Sequence, residues 1–203
     1  EAMTIFNSEH GRRNKAPIRV LHFLPALWRG TGIARFVYNM ALFADEKRVH
    51  FDFAHAAVID GVPIPCGGTF DEELRSYGSQ IYTVNHPGDS VVKFAHDVAV
   101  LMAEHGDEYD IVHCHMPNGA FCILREAKKA GVPVRILHSH LNTSSDVLLH
   151  RIRNAPLIAI GKRCANANFA CSDDAGRYLF GSDSFEVVRN GIPVGQYAFS
   201  EST

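Results

Sequence analysis

The feature of this chain that most restricts its fold is a regular alternation of short apolar runs with amphipathic stretches. Short apolar runs bounded by turn residues are typical of buried strands, and apolar residues recurring every three or four positions are typical of helices. The pattern predicts seven strands, at 18–23, 51–58, 80–84, 110–114, 132–138, 168–171 and 186–188. Helices are predicted between them, at 33–43, 70–77, 91–104, 118–130, 145–163 and 172–180, with Pro156 as a possible break and 60–70 as a loop.

This order of elements predicts the fold class. Strands that alternate with helices form right-handed crossovers and a parallel sheet covered on both faces. The strand segments are near-continuous apolar runs, as burial on both faces requires. We therefore predict an α/β fold, a Rossmann-like parallel sheet of about seven strands with helices on both faces. A length of 203 residues suffices for one such domain.

Charge and hydropathy exclude several classes of protein. Lys and Arg total 20 and Asp and Glu total 22, a formal net charge of −2, so no global basic field favours nucleic-acid binding. No apolar run reaches the roughly 18 residues of a membrane span. The polar segment 1–17 has no apolar core of the kind that signal peptides carry. We expect a cytoplasmic protein, with no nucleic-acid partner.

The five cysteines follow no disulfide or metal-binding pattern. Their number is odd, no C-x-x-C pair occurs, and most lie in apolar surroundings, so we interpret them as reduced core thiols. They are Cys66, Cys114, Cys122, Cys164 and Cys171.

A glycine-containing loop follows the first strand, where an open parallel sheet binds ligands. Gly30, Thr31 and Gly32 lie just before the predicted helix, whose N-terminus attracts anions. The loop is not a dinucleotide fingerprint, because Arg35 stands where the third glycine would be. Nor is there a phosphate-binding P-loop, because the Gly161-Lys162 pair lacks the leading glycine and the Ser or Thr. The loop is a candidate substrate-binding segment, with a flexible loop and helix cap as the alternative.

Two strand ends each carry an H-x-H pair. Strand alternation places His113 and His115 on one face, with His113 more buried and His115 near the rim, and His138 and His140 end the next strand. Zinc binding is conceivable, since imidazole is a common zinc ligand. No carboxylate or thiolate is placed to complete such a site, and we assign no metal. Recognition of a polyhydroxyl substrate and structural hydrogen bonding remain the other two explanations.

Two further motifs were considered for function. No G-x-S-x-G elbow occurs around Ser139 or Ser172, so a serine hydrolase is not indicated. The helix at 146–163 mixes apolar residues with five basic or histidine side chains, and such a helix can lie on an anionic membrane surface. Peripheral contact at the inner face of the membrane is therefore one expectation, and an ordinary core-facing helix is the other.

Five segments, in order, resemble the N-terminal domain of GT-B fold, family-4 type retaining glycosyltransferases, particularly bacterial exopolysaccharide and capsule enzymes. One departure is Ala34, where the family usually carries Glu. The matching segments are Ile18-Arg-Val-Leu-His-Phe with 29–37 (Arg-Gly-Thr-Gly-Ile-Ala-Arg-Phe-Val), Tyr109-Asp-Ile-Val-His-Cys-His115, Gly131-Val-Pro-Val-Arg-Ile-Leu-His-Ser-His140, Ala170-Cys171-Ser172 with Leu179-Phe180-Gly181, and Val188-Arg189-Asn190-Gly191-Ile192.

The resemblance implies a function and its residues. The chain would move a sugar from a nucleotide diphosphate donor to a saccharide or lipid-linked acceptor, with retention at the anomeric carbon and without a cofactor. His140 is the expected catalytic residue, preferred over His138, which would bind substrate. The other expected substrate-binding residues are Gly30, Thr31, Gly32, His115, Asn118, Gly119 and Asn142.

The resemblance also implies a domain organisation. We expect a polar segment at 1–17, the Rossmann-like glycosyltransferase domain at 18–193 and the start of an interdomain linker at 194–203. The C-terminal nucleotide-binding domain of the family is absent from this sequence, so residues 1–203 alone are expected to be inactive. The alternatives are a non-catalytic sugar- or nucleotide-binding module, a two-domain epimerase of related fold, or a response-regulator-like module.

Overall fold

A parallel sheet of seven strands forms the centre of the molecule. The structure is a computed structural model that describes residues 17–64, 67–141 and 148–197. Its strands, with those of a small separate hairpin (β3 and β4), are β1 (Ile18–Phe23), β2 (Val49–His55), β3 (Val58–Ile59), β4 (Val62–Pro63), β5 (Ile81–Thr83), β6 (Ile111–Cys114), β7 (Val134–Ser139), β8 (Ala167–Ala170) and β9 (Glu186–Val187). Its helices are α1 (Gly32–Phe43), α2 (Asp71–Ser76), α3 (Val91–His105), α4 (Ala120–Lys129), α5 (Leu148–Cys164) and α6 (Asp173–Phe180).

The order of strands creates one point where the sheet changes direction. Across the sheet the order is β5-β2-β1-β6-β7-β8-β9, and all six neighbouring pairs are parallel. The chain first builds outward from β1 to β5, then returns to place β6 on the other side of β1. In such sheets ligands bind at the carboxyl ends of the two strands that flank this point. The predicted fold class is confirmed, and the candidate crevice lies beyond β1 and β6.

Two hydrophobic clusters cover the two faces of the sheet. Leu21 and Phe23 of β1 belong to the larger cluster, which includes Phe94 and Val98 of α3 and the buried face of α4. The smaller cluster joins Phe36 and Val37 of α1 with Leu24, Leu27, Phe53, Phe70 and Leu74. Because residues alternate along β1, His22 lies on the face opposite Leu21 and Phe23, beneath α1.

The cysteines that are described agree with the expected thiols. Cys114 and Cys122 are free and buried, and burial raises the pKa of each thiol to about 12. Cys164 and Cys171 are free and half-buried. Cys66 lies outside the described residues. A thiol whose pKa is raised this far is a poor nucleophile at neutral pH, so Cys114 and Cys122 act as core residues.

Three predictions about local structure were wrong. The second strand ends at His55 rather than at residue 58, and a two-stranded hairpin of β3 and β4 runs from residue 58 into the start of the predicted loop. The hairpin turn has positive φ at both Asp60 (52°) and Gly61 (72°), as a two-residue turn between antiparallel strands requires. Helix α5 continues through Pro156 instead of breaking there. Proline has no N–H to donate to the Ile152 carbonyl. Pro156 and Ile152 are both exposed, so water can hydrogen-bond to that carbonyl instead.

A buried carboxylate, that of Asp52, ties together four segments of the chain. Asp52 of β2 accepts hydrogen bonds from the Arg19 guanidinium (2.7 Å), the Gln80 amide (2.8 Å) and the Tyr109 hydroxyl (3.0 Å), and lies 2.9 Å from His50. Burial by itself would raise the pKa of Asp52, but these donors outweigh it and lower the pKa. Asp52 is therefore ionised in the folded chain and links β1, β2, β5 and the start of β6.

Among the described residues, no helix combines the length and apolar character that a bilayer span needs.

Candidate functional site

Five histidines gather at the carboxyl ends of β1, β6 and β7. His22, His113 and His138 occupy the last residues but one of their strands, and His115 and His140 follow β6 and β7 directly. Their rings lie face to face in several pairs, with centroids 4.0 Å apart for His138 and His140 and 4.1 Å apart for His113 and His115. We call His22, His113, His115, His138 and His140 the histidine stack.

Ring nitrogens join the stack through short contacts. His22 Nδ1 lies 2.9 Å from His115 Nε2, and His115 Nδ1 lies 2.8 Å from His140 Nε2. His113 Nε2 lies 3.0 Å from His138 Nδ1. Three other ring nitrogens are buried without a hydrogen-bond partner among the described residues: His22 Nε2, His138 Nε2 and His140 Nδ1. The stack is thus internally bonded but leaves unused hydrogen-bonding capacity.

Aromatic side chains wall the stack. Phe36 of α1 meets His115, His138 and His140 edge-on, with centroids 6.0, 5.4 and 5.7 Å apart. Phe169 of β8 meets His113 and His138 in the same manner. These rings keep water away from the imidazoles, and a buried imidazole without a carboxylate neighbour is unstable as a cation.

Burial sets the protonation of the stack. It lowers the pKa of His140 to about 4 and that of His22 to about 3, in the latter case against a small opposing effect of the Asp52 charge. It also lowers the pKa of His138 to about 2, and the neighbouring His140 and His22 add to this effect. The pKa values of His113 and His115 are lowered by burial and by the other histidines. At neutral pH all five rings are neutral, so each offers one N–H donor and one lone pair.

The H-x-H pairs therefore share one face, as strand alternation predicts. The expectation that His113 is more buried and His115 lies near the rim was wrong: 4% of His113 and only 2% of His115 are exposed, because Phe36 and His22 cover His115. His138 is fully buried and His140 is half-buried. Asn142 lies outside the described residues. Sequence reasoning brought four of the five histidines to one place.

His22 was missed. It ends β1 in the same way that His113 ends β6, and the two residues are register partners across that strand pair. The signal was available in the sequence, since a histidine stands next to last in the first predicted strand. It could be used only with the knowledge that β6 pairs with β1, which the sequence pattern does not supply.

The glycine loop is held by its own contacts. The Thr31 hydroxyl caps α1 by accepting from the Ala34 amide (3.3 Å) and donates to the Trp28 carbonyl (3.1 Å). A Cβ on Gly30 would lie 3.3 Å from the Trp28 ring, whereas a Cβ on Gly32 would meet nothing within 4 Å. The fold therefore has no need of a glycine at residue 32.

Arg29 anchors the same loop from outside. Its guanidinium forms an ion pair with Glu73 of α2, donates to the Gly67 carbonyl at 3.2 Å and stacks over the Phe70 ring at 4.6 Å. Its amide donates to the Gly68 carbonyl at 2.8 Å. The loop that precedes α1 is thus fastened to the segment that precedes α2.

Asn118 and Gly119 lie at the start of α4, beyond β6. Asn118 is half-buried, and Gly119 is buried at the helix N-cap. A Cβ on Gly119 would lie 3.1 Å from the ring of Phe94, so this glycine lets α4 approach α3 closely. Packing explains Gly119 without a ligand.

Two groups within the stack have a spacing suited to metal ions. One consists of His22, His113 and His115, and the other of His115, His138 and His140. In each group the ligand atoms lie within 4.8 Å of one another. Both groups consist of histidine alone, so thiolate and carboxylate ligands do not contribute to them.

Two surface pockets lie away from the stack nitrogens. One, of about 280 Å³, lies between β5 and α3 beside Tyr82, His96 and His105. The other, of about 330 Å³, lies beside Phe43 and Ile192. Neither pocket is lined by a histidine of the stack.

Comparison with known proteins gives one relative in sequence. The chain is 34% identical over 194 residues to EpsF of Bacillus subtilis (strain 168), a protein assigned to the glycosyltransferases. The aligned part is 91% of this chain and 48% of EpsF, so the chain spans about half the length of that relative. No protein-family model matches the chain.

Solved structures share the fold at low sequence identity. HepE of Anabaena, in complex with UDP and glucose, superposes with a TM-score of 0.63 at 16% identity, over 91% of this chain and 47% of HepE. A protein of Listeria monocytogenes assigned as a UDP-N-acetylglucosamine 2-epimerase superposes with a TM-score of 0.55 at 14% identity, over 83% of this chain and 43% of that one. The chain is therefore similar in sequence to about half of the glycosyltransferase EpsF, and it has the fold of one half of the GT-B glycosyltransferases.

Proposed function

We propose that this chain is the acceptor-side domain of a retaining glycosyltransferase of the family-4 type. The whole protein would move a sugar from a nucleotide diphosphate donor to a saccharide or lipid-linked acceptor. The observation that carries the proposal is the neutral histidine stack at the carboxyl ends of β1, β6 and β7, where the strand order reverses. The similarity to EpsF supports the transferase class.

Neutral imidazoles suit the recognition of sugar hydroxyls. Each ring has one donor and one acceptor, and a sugar hydroxyl offers the same two functions. His140 lies at the outer end of the stack, and its Nδ1 atom is buried with no partner among the described residues. We propose that His140 is the catalytic residue that orients the reacting hydroxyl or the transferred sugar.

The glycine loop would supply the second part of the site. Gly32 opens α1, and the N-terminus of a helix favours an anion such as a diphosphate. Since the fold would tolerate a side chain at residue 32, a requirement for glycine there would come from a ligand. Gly30, Thr31, His115, His138, Asn118, Gly119 and Asn142 remain the other proposed substrate-binding residues, and no cofactor is proposed.

Donor binding would fall to a second half. The chain covers about half of EpsF and of HepE. We propose that residues 18–193 are the N-terminal domain, that a linker begins at 194, and that a C-terminal domain holds the nucleotide. Peripheral contact of α5 with the inner face of a membrane is also proposed, and its Ile152 and Ile160 side chains are exposed.

The test is an assay of the full-length protein with a panel of UDP- and GDP-sugars and saccharide or lipid-linked acceptors. We expect nucleotide diphosphate release that depends on an acceptor, with a glycoside of retained configuration as product. His140→Gln and Gly32→Ala should lower kcat/KM by at least about 100-fold, whereas His96→Gln, on the exposed face of α3, should not. Epimerised nucleotide sugar as the product would favour the epimerase and contradict the proposal. So would turnover by residues 1–203 alone.

A further inference from the structure

The histidine stack has more hydrogen-bonding atoms than hydrogen bonds, and a proton count shows where the surplus lies. In the series His22–His115–His140, three neutral rings carry three N–H protons but share only two contacts. One end of the series must therefore hold an N–H with no acceptor and the other a lone pair with no donor. Both end atoms, His22 Nε2 and His140 Nδ1, are buried and have no hydrogen-bond partner among the described residues.

A purely structural stack is therefore unfavourable. Each buried polar atom without a partner costs about 1–3 kcal/mol, and His138 Nε2 is a third such atom. Apolar side chains of similar shape would avoid this cost. An occupant that uses an imidazole lone pair at His138 Nε2 would offset part of this cost.

We propose that His115, His138 and His140 bind one divalent transition-metal ion, zinc being the fitting choice. Their ligand atoms lie within 4.8 Å of one another, and the His115 Nδ1 to His140 Nε2 distance is 2.8 Å. Two nitrogens around a tetrahedral ion would be about 3.3 Å apart, so a movement of about half an ångström converts the contact into a ligand pair. Three neutral imidazoles select zinc, cobalt, nickel or copper over magnesium, calcium or manganese.

Neighbouring rings already orient two of these three ligands, His115 and His138. His115 has its Nε2 against His22 Nδ1, which leaves Nδ1 for the ion. His138 has its Nδ1 against His113 Nε2, which leaves the buried, unpartnered Nε2 for the ion. Ligand histidines in metal sites are fixed in the same way, by a hydrogen bond from the other ring nitrogen. His22 and His113 are thus positioning residues for His115 and His138.

Accessibility from solvent favours the group of His115, His138 and His140 over the group of His22, His113 and His115. His22, His113 and His115 are all buried, whereas His140 is half-buried at the outer end of the stack. An ion held by three protein ligands keeps one coordination position open, as in catalytic rather than structural zinc sites. The proposal goes beyond glycosyl transfer and does not rest on it.

The test uses the full-length protein, free of any affinity tag, after removal of metal with EDTA and in the absence of sugar nucleotide. Titration with Co²⁺, followed by visible absorption, and with Zn²⁺, followed by calorimetry, should show one site lost in both His138→Gln and His140→Gln. His113→Gln should weaken binding by about 10–100-fold. The matched control His96→Gln should bind as the wild type does.

Melting curves show whether each variant is folded. Saturating Zn²⁺ should raise the Tm of the wild type and of His96→Gln, because the ion binds only the folded state, but not that of a folded His140→Gln. Absence of saturable binding by the wild type would overturn the proposal. Binding that persists in His140→Gln but is lost in His22→Gln would also overturn it, by moving the ion to the buried group.

Discussion

The Nδ1 atom of His115 lies 2.8 Å from the Nε2 atom of His140 at the end of the next strand. The other nitrogen of the same His115 ring lies 2.9 Å from His22, so this central ring uses both of its nitrogens. Adding a proton to any ring of the series would place two N–H groups against each other or a charge among apolar side chains. The stack is therefore a group of bases that folding keeps unprotonated.

Acid should destabilise the metal-free chain at an unusually high pH. The unfolded histidines take up protons below a pKa of about 6.5, while in the folded chain the pKa values of His140 and His22 are about 4 and about 3. Between those values the unfolded state binds more protons, so the free energy of unfolding falls as the pH falls from about 6.5 toward 4. Each such histidine contributes up to about 1.4 kcal/mol per pH unit. Urea unfolding at several pH values measures the slope.

The matched pair for this measurement is His22→Phe and His96→Gln. Phenylalanine fits the aromatic surroundings of residue 22, beside Phe51 and Phe53, and removes one titrating group, so the slope should decrease. Replacing the exposed His96 should leave it unchanged. A wild-type stability that does not vary between pH 6.5 and 4.5 would contradict the buried neutral state of the stack.

Removal of Asp52 should be among the most damaging single changes. In Asp52→Ala the Gln80 amide and the Tyr109 hydroxyl lose their acceptor, and Arg19 loses its buried partner. We expect a loss of about 3–5 kcal/mol in the free energy of unfolding. The control is Glu108→Gln, which removes the other, exposed partner of Arg19 and should cost under about 1 kcal/mol. Equal effects of the two variants in urea unfolding would contradict the role given to Asp52.

Two glycine-to-alanine changes should have opposite effects on stability. A Cβ on Gly161 of α5 would lie 2.5 Å from the Cβ of Ala120 and 3.0 Å from its backbone carbon, so Gly161→Ala should cost about 1–3 kcal/mol. Gly32→Ala meets nothing within 4 Å and should stabilise by up to about 1 kcal/mol. Thermal unfolding of both variants checks the signs. A stabilising Gly161→Ala would mean that α4 and α5 pack less closely than described.

Loss of the Arg29 anchor should loosen the glycine loop without unfolding the domain. Arg29→Ala removes the ion pair with Glu73 and the stacking on Phe70. We expect faster hydrogen exchange at the amides of residues 29 and 31, which donate to Gly68 and Trp28. Arg125→Ala, on the exposed side of α4, is the control. Unchanged exchange in Arg29→Ala would show that the backbone contacts alone hold the loop.

Much of the fold could be predicted because local signals agreed with tertiary structure. The strand 18–23 was placed correctly, and Ser172 caps α6 by accepting from the Ala175 amide, as its position before an acidic first turn indicated. The hairpin after β2 was missed although Asp60-Gly61 is a known hairpin turn, because its strands have only two residues each. Helix α5 overrides the proline signal through its close packing on α4.

The candidate site could be predicted only in part. Strand alternation brought the two H-x-H pairs together, since their strands follow each other in the sequence and in the sheet. The addition of His22 depends on the pairing of β1 with β6, which are separated by three helices of chain. Contacts across a crossover of this length leave no periodic trace in the sequence.

The ring of Phe36 touches three of the stacked imidazoles from a helix whose first residue is Gly32. If an anion bound at the amino end of this helix tilted it, the Phe36 side chain would move with the helix and displace the imidazoles that it contacts. An anion at the amino end of α1 would then alter the basicity of the histidine stack without contacting a ligand bound to the stack.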